Sequence, residues 1–362
     1  MSLADIKDQH VALQFLRSVI RRGRIPNALL FWGPSGVGKR TTALEFAKAL
    51  NCRESGDDAC DACLSCRRIE HGNHPDVRLF TPAGKAREIK KRDVDEINEL
   101  AALRPFEAAW RLIIIEDADR INIRAQNHFL KTLEEPPGRT LFILLTQYPR
   151  VLFPTIRSRC QIVRFRSLSP DTVVALLKEH RELPEDVARS IAGVAEGQMG
   201  RAFDLVDSQR RDIVFDFVQR LAGGGEPVRL AEDFAKHLSE RRAQIEAELD
   251  ATPVSDEAAD AAPEDLERLQ EQQAAQLNAL IRNDILEYLY LLETWYRDEL
   301  VCGALGDTRR AWNHDRAGSL QNKVSSDPAA KILAVEKART YLDRHVNEER
   351  VFRDLFFALA EP

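Results

Sequence analysis

The stretch Ala28-Leu29-Leu30-Phe31-Trp32-Gly33-Pro34-Ser35-Gly36-Val37-Gly38-Lys39 decides the fold. Its apolar start lacks the polar alternation of a half-exposed strand, so it reads as a strand buried on both faces. The run from Gly33 to Lys39 fills the first seven positions of G-x4-G-K-[ST], and a helical pattern follows. Glycines let the chain wrap so that its N–H groups face one concavity, the helix N-terminus favours negative charge, and Lys39 can reach terminal phosphates. Strand, loop and helix in that order read as a phosphate-binding loop; the alternative is a glycine-rich turn with no ligand.

Working outward, four more short apolar runs occur at Val77-Arg78-Leu79-Phe80, Leu112-Ile113-Ile114-Ile115, Leu141-Phe142-Ile143-Leu144-Leu145 and Ile162-Val163-Arg164-Phe165. Helical patterns separate them: Val11, Phe15, Val19 and Ile20 precede the first run, and Phe129, Leu130 and Leu133 precede the stop at Pro136-Pro137. Buried strands alternating with helices predict an α/β domain with a parallel sheet over residues 1–167. From Ser169-Pro170 the strand signals vanish. The pattern predicts a small helical domain over 168–209 and a larger helical domain over 210–362, interrupted near 250–265 by a stretch rich in Ala, Asp, Glu and Pro that reads as a solvated linker.

The phosphate loop departs from its pattern at the eighth position. Arg40 stands where a Ser or Thr hydroxyl normally coordinates Mg²⁺. Thr41 and Thr42 follow, but one residue along a helix turns a side chain by about 100°, so neither simply substitutes. The third run ends in Glu116-Asp117, where an Asp-Glu order is expected; charge is retained while reach is exchanged. Displacements of about 1 Å can cost catalysis heavily, so the pattern predicts a site that binds ATP or ADP but hydrolyses it poorly, with Mg²⁺ coordination in doubt.

Six cysteines are present, and Cys52, Cys60, Cys63 and Cys66 fall within fifteen residues. Their C-x7-C-x2-C-x2-C spacing supplies four thiolates suited to tetrahedral Zn²⁺, with iron–sulfur ligation as the alternative. The module 51–67 has few large apolar residues and would need metal to hold its shape. His71 and His74 lie close by, but four thiolates already complete a closed site. A formal net charge of −6 argues against a uniformly basic coat for nucleic acid. No apolar run approaches the ~18 residues of a membrane span. The first eight residues carry no secretory pattern, which predicts a cytoplasmic chain without membrane contact.

Two further motifs resemble the bacterial clamp-loader subunits of the AAA+ class. Gln126-Asn127-His128-Phe129-Leu130-Lys131-Thr132-Leu133-Glu134-Glu135-Pro136-Pro137 is similar to that family's Asn-Ala-Leu-Leu-Lys-Thr-Leu-Glu-Glu-Pro-Pro helix, and Thr155-Ile156-Arg157-Ser158-Arg159-Cys160 to its Ser-Arg-Cys segment. Trp295-Tyr296-Arg297-Asp298 and the segment from Leu342 to Asn347 resemble its last helices, so the likeness covers nearly the whole chain.

The resemblance implies a subunit of a hetero-oligomeric ring with motor (gamma/tau) and delta subunits, acting on a sliding clamp and primer-template DNA within the DNA polymerase III assembly. It implies Arg159 as an arginine finger offered to a neighbour's ATP, Thr146 as a first sensor, and Arg201 in Gly197-Gln198-Met199-Gly200-Arg201 as a second. Arg40, the Glu116-Asp117 order and His74-Pro75-Asp76 favour the delta-prime branch, a weak or inactive ATPase, over the motor branch. The alternatives are an ATP-hydrolysing motor and a zinc-dependent DNA-binding protein with a vestigial nucleotide site. The basic run Lys85, Arg87, Lys90, Lys91 and Arg92 is either a DNA-phosphate contact or a solvated loop and helix start.

Overall fold

The computed structural model describes residues 1–54, 56–82, 88–136, 138–250, 263–322 and 327–360. The chain divides into two compact units, Met1–Thr172 with Gly197–Arg201, and Val173–Glu196 with Ala202–Pro362.

Each apolar run of the first unit forms a strand: β1 (Ala28–Trp32), β2 (Val77–Phe80), β3 (Arg111–Ile115), β4 (Thr140–Thr146) and β5 (Gln161–Arg164). They make one all-parallel sheet in the order β2-β3-β4-β1-β5. Alternation within the runs assigns the two faces. Leu29, Phe31, Leu112, Ile114, Leu141 and Ile143 enter one core with Leu16 and Phe46, whereas Ala28, Leu30, Ile113, Ile115, Phe142 and Leu144 enter a second with Ile97 and Phe129. Helices α1 (His10–Arg22) and α2 (Lys39–Asn51) supply residues to the first core, and α4 (Lys91–Ala102) and α5 (Ile123–Glu134) to the second. A short α3 (Leu64–Glu70) precedes β2, and α6 (Pro154–Arg159) precedes β5. Both faces are covered, which is why the strands read as continuous apolar runs.

Helix α1 forms where expected, but its buried face is Ala12, Leu13, Leu16 and Val19, and Val11 is 73% exposed. Periodicity located the helix; packing against the sheet chose the stripe. Helix α5 ends at Glu134, just before Pro136, and buries Ala125, Gln126, Phe129 and Leu133. Glu135 caps it, with its N–H donating to Lys131 O.

The remainder is helical: α7 (Pro170–His180), α8 (Glu185–Val194), α9 (Met199–Asp207), α10 (Arg210–Ala222), α11 (Pro227–Asp250), α12 (Pro263–Leu305), α13 (Ala317–Asn322), α14 (Pro328–Asp343) and α15 (Glu348–Ala360). Residues 251–262, most of the acidic stretch, lie outside the described residues, and α12 already begins at Pro263. Lys85 and Arg87 also lie outside them.

The second unit is centred on aromatic side chains from α10, α11, α12 and α15. Phe234 meets Phe217, Tyr288 and Phe352 edge-on, with ring centroids 5.3, 5.5 and 5.0 Å apart. Further along α12, the fully buried carboxylate of Asp298 accepts from the N–H groups of Trp312 and Asn313 and from Asn313 Nδ2, while Arg297 stacks 4.3 Å from the Trp312 ring centre. Trp295-Tyr296-Arg297-Asp298 thus ties α12 to the loop before α13.

Candidate functional site

Parallel register places the carboxyl ends of β1, β3 and β4 side by side, with Trp32 opposite Thr146 and Leu144 opposite Ile115. Ligands of open parallel sheets bind outside this edge. The loop Gly33–Gly38 leaves β1 there, and Gly33 N–H donates to Thr146 O at 3.3 Å. Two glycines are required by close approach. A Cβ on Gly33 would lie 2.4 Å from Phe165 O, and one on Gly36, where φ is 68°, would lie 2.1 Å from Gly200 N. The second approach sets the loop, including Pro34, Ser35 and Val37, against the start of α9, next to Arg201.

Lys39 opens α2 and turns back into the loop, donating to Gly33 O at 2.7 Å and Pro34 O at 2.6 Å. Burial pulls its ammonium down to about 8, against the opposing fields of Asp117, Asp119 and Glu116. Three carboxylates from the end of β3 therefore share its surroundings. Asp117 adopts the left-handed region at φ 43°, ψ 51°, a conformation that costs a non-glycine residue on the order of 1 kcal/mol or more and that recurs at functional sites. It starts the short turn Ala118–Arg120, which brings Asp119 to Thr146. The Thr146 hydroxyl donates to Asp119 and accepts from Tyr148 N–H at 3.0 Å. Asp119 was not singled out by sequence reasoning; its only signal was an acidic residue four beyond the strand end.

Arg40 Nη1 lies 3.5 Å from Glu116 Oε2. The buried Thr42 hydroxyl donates to Gly38 O at 2.8 Å, and Thr41 beside it is half-buried. A phosphate-loop Mg²⁺ would need a hydroxyl at position 40 and an available carboxylate at the strand end. The residues do not fit it: a guanidinium occupies the first position and faces the second, and the Thr42 hydroxyl is committed to its own helix.

The structure places Arg159 elsewhere, at the end of α6. Its guanidinium donates to Thr155 O at 2.9 Å and pairs with Glu134, the last residue of α5. Both side chains are partly exposed, 32% and 49%.

The sulfurs of Cys52, Cys60, Cys63 and Cys66 lie within 4.8 Å of one another. Tetrahedral zinc with bonds of about 2.3 Å places its sulfurs roughly 3.8 Å apart, so the donor set fits. The Cys63 N–H points at Cys60 Sγ (3.3 Å) and the Cys66 N–H at Cys63 Sγ (3.5 Å); donors of this kind favour thiolates. Cys160 and Cys302 are buried apart from the cluster. His74 spends its ring otherwise: Nδ1 accepts from Asp76 N–H at 3.1 Å, and Nε2 faces Ser65 Oγ at 3.2 Å. Beside it the buried Asp76 carboxylate accepts from the N–H groups of Phe106, Glu107 and Ala108 and from Arg111. Arg111 also donates to Leu100 O and Leu103 O, closing the end of α4. A cavity of about 570 Å³, lined by Cys52, Arg53, Cys63, His74 and Glu107 among others, opens beside the cluster. Among the described residues no helix is long and apolar enough to cross a membrane.

Residues 8–169 match the family described as DNA polymerase III, delta subunit. The chain is similar to DNA polymerase III subunit delta' of Bacillus subtilis (strain 168), 36% identical over 200 residues, covering 55% of this chain and 59% of the relative. It is 32% identical over 212 residues to DNA polymerase III subunit tau of the same organism, covering 56% of this chain and 37% of the relative. To DNA polymerase III subunit delta' of Pseudomonas aeruginosa (strain PAO1) it is 33% identical over 174 residues, covering 47% and 52%. The chain thus spans about half the length of the curated relatives it matches.

Proposed function

We propose, on the match of residues 8–169 to the DNA polymerase III delta-subunit family, that this chain is a clamp-loader subunit of the delta-prime kind. In this reading it joins motor (gamma/tau) and delta subunits in a hetero-oligomeric ring that places a sliding clamp on primer-template DNA. Its parts are an AAA+ nucleotide-binding domain over 1–167, a helical lid over 168–209 and a helical collar over 210–362.

The observation that carries the non-motor assignment is the pairing of Arg40 with Glu116. Hydrolysis on a phosphate loop needs a metal to neutralise charge on the transferring group, and here a side-chain cation sits against the carboxylate that would hold it. The loop Gly33–Lys39, with Arg40, Thr41, Glu116, Asp117, Thr146 and Arg201 around it, then serves to bind ATP or ADP rather than to turn it over. Zinc on Cys52, Cys60, Cys63 and Cys66 would be structural, fixing a segment with little apolar core.

Arg159 is the residue proposed to act in trans. To reach a neighbour's nucleotide its guanidinium must leave Glu134, and a partly exposed ion pair contributes only ~0–1 kcal/mol. Charge-assisted contact with a phosphate is stronger, and it strengthens further as charge develops on the transferring group.

The test is steady-state ATP hydrolysis by the chain alone and after assembly with motor, delta and clamp, comparing wild type with Arg159→Ala. Little turnover alone, and assembled turnover that falls at least ~tenfold in the variant, are expected; arginine fingers contribute up to 10³–10⁵ elsewhere. Unchanged assembled turnover refutes the trans role. Robust Lys39-dependent turnover by the chain alone favours a motor, the reading to which the similarity with subunit tau also points.

A further inference from the structure

The metal position of the phosphate loop is held by the chain itself. Arg40 occupies the hydroxyl position at the start of α2, and its Nη1 lies 3.5 Å from Glu116 Oε2 at the carboxyl end of β3. These are the two points between which a phosphate-loop divalent ion sits. Neither following hydroxyl takes its place: Thr41 lies about 100° further round the helix, and the buried Thr42 Oγ1 is turned back to its own helix, donating to Gly38 O. A divalent ion entering there would have to displace a guanidinium from a carboxylate and then remain beside that guanidinium.

The charge balance runs the same way. Nucleoside di- and triphosphates carry three to four negative charges unless a cation accompanies them, and Glu116, Asp117 and Asp119 all act on Lys39. With a hydroxyl at position 40, the site would have one cation fewer to set against these carboxylates and the phosphates, and an ion would supply it. With Arg40, Glu116 is already countered by a cation of the chain. Arg40 is also more than half exposed, so its guanidinium is free to swing from Glu116 toward a β- or γ-phosphate while staying near both.

We infer that this site binds a nucleoside di- or triphosphate without a divalent cation, with Arg40 acting in place of the ion. The inference rests on the reading of Gly33–Lys39 as a nucleotide site. It adds that the ligand is the metal-free nucleotide, so occupancy is uncoupled from magnesium. Neighbouring motor subunits, by contrast, would need magnesium for their own ATP.

The experiment is equilibrium titration of the full-length chain with a fluorescent ADP or ATP analogue, with magnesium in excess and with magnesium omitted from resin-treated buffer. Omission is used because a chelator would also attack the cysteine cluster. Wild type should bind with the same affinity in both media, within about threefold. Arg40→Thr, which restores the hydroxyl at an exposed position, should bind at least tenfold more weakly without magnesium than with it, a change of about 1.4 kcal/mol. Wild-type affinity that falls tenfold or more without magnesium overturns the inference and leaves the nucleotide site standing. So does an Arg40→Thr protein as indifferent to magnesium as wild type. Absence of binding in both media overturns the inference together with the nucleotide-site reading.

Discussion

Replacing Asp76 by Ala should cost the first unit ~3–5 kcal/mol, and the structure shows why. The carboxylate is fully buried and receives four donors: the N–H groups of Phe106 (2.7 Å), Glu107 (2.8 Å) and Ala108 (3.0 Å), and Arg111 Nη2 (2.8 Å). Burial alone would raise its pKa, but the amides of Glu107 and Phe106, then Arg111 and the amide of Ala108, outweigh it and hold the group at about 2. A drop from 3.8 to about 2 corresponds to roughly 2 kcal/mol of differential stabilisation of the ionised form. Truncation costs more than that, because it strands three amides and leaves Arg111, 5% exposed, without its carboxylate; breaking a buried pair from one side typically costs ~3–5 kcal/mol.

The sign follows from the depressed pKa. The stabilisation is fully present above the ordinary carboxylate value and is lost as pH falls through about 2. Amide hydrogen exchange read by peptide mass spectrometry suits the test, since it reports the two units separately. At neutral pH the β2 and β3 amides of Asp76→Ala should exchange ~10²–10³-fold faster or more, by the rule of tenfold per 1.4 kcal/mol. The α11 and α15 amides should keep their wild-type rates. The difference between the proteins should shrink as pH approaches 2. Acceleration of β3 below tenfold at neutral pH would refute the view that this carboxylate anchors the 104–108 loop.

Two other outcomes follow from the packing and the thiol cluster. Phe234→Ala removes the ring that three aromatics meet edge-on and should destabilise the second unit by ~3–5 kcal/mol, seen as faster exchange in α11, α12 and α15 with the sheet amides unchanged. Cys60→Ser should lower the zinc that co-purifies with the chain, measured by atomic emission, from one ion per chain to well below one. It should also make the remaining module thiols reactive while Cys160, buried and pushed up to about 12, stays inert; unchanged zinc content would count against the four-sulfur site.

Much of the first unit was legible in the sequence because its information is local. A strand buried on both faces must be apolar at every position, and a loop that wraps backbone amides around one point needs Gly33, Gly36 and Gly38 at fixed intervals. The four cysteines announced their cluster by spacing, and Pro136 marked the end of α5. In α1 the same logic found the element but not its inward face, because the 3.6-residue period leaves neighbouring stripes nearly equivalent until a sheet is packed against one of them. Helix content after Ser169 was equally readable.

What tertiary structure decided is which distant residues meet. Only the pairing of β3 with β4 and of β4 with β1 brings Asp119 to Thr146 at the end of β4, and Glu116 to Arg40 at the start of α2. Only the folded chain gives Arg159 to Glu134, twenty-five positions away, and Arg111 to Asp76, thirty-five away. In the sequence Arg111 is a charged residue before an apolar run, and Asp76 closes the His74-Pro75-Asp76 segment with nothing to mark its partner. Charged side chains leave no periodic trace, since on an exposed face almost any of them will do; they acquire a definite partner only when burial makes an unpaired charge costly. Local sterics and hydrophobic period therefore fixed the elements and the glycine-rich loop after β1, whereas the long-range closure of the chain fixed the ionic partners that surround that loop.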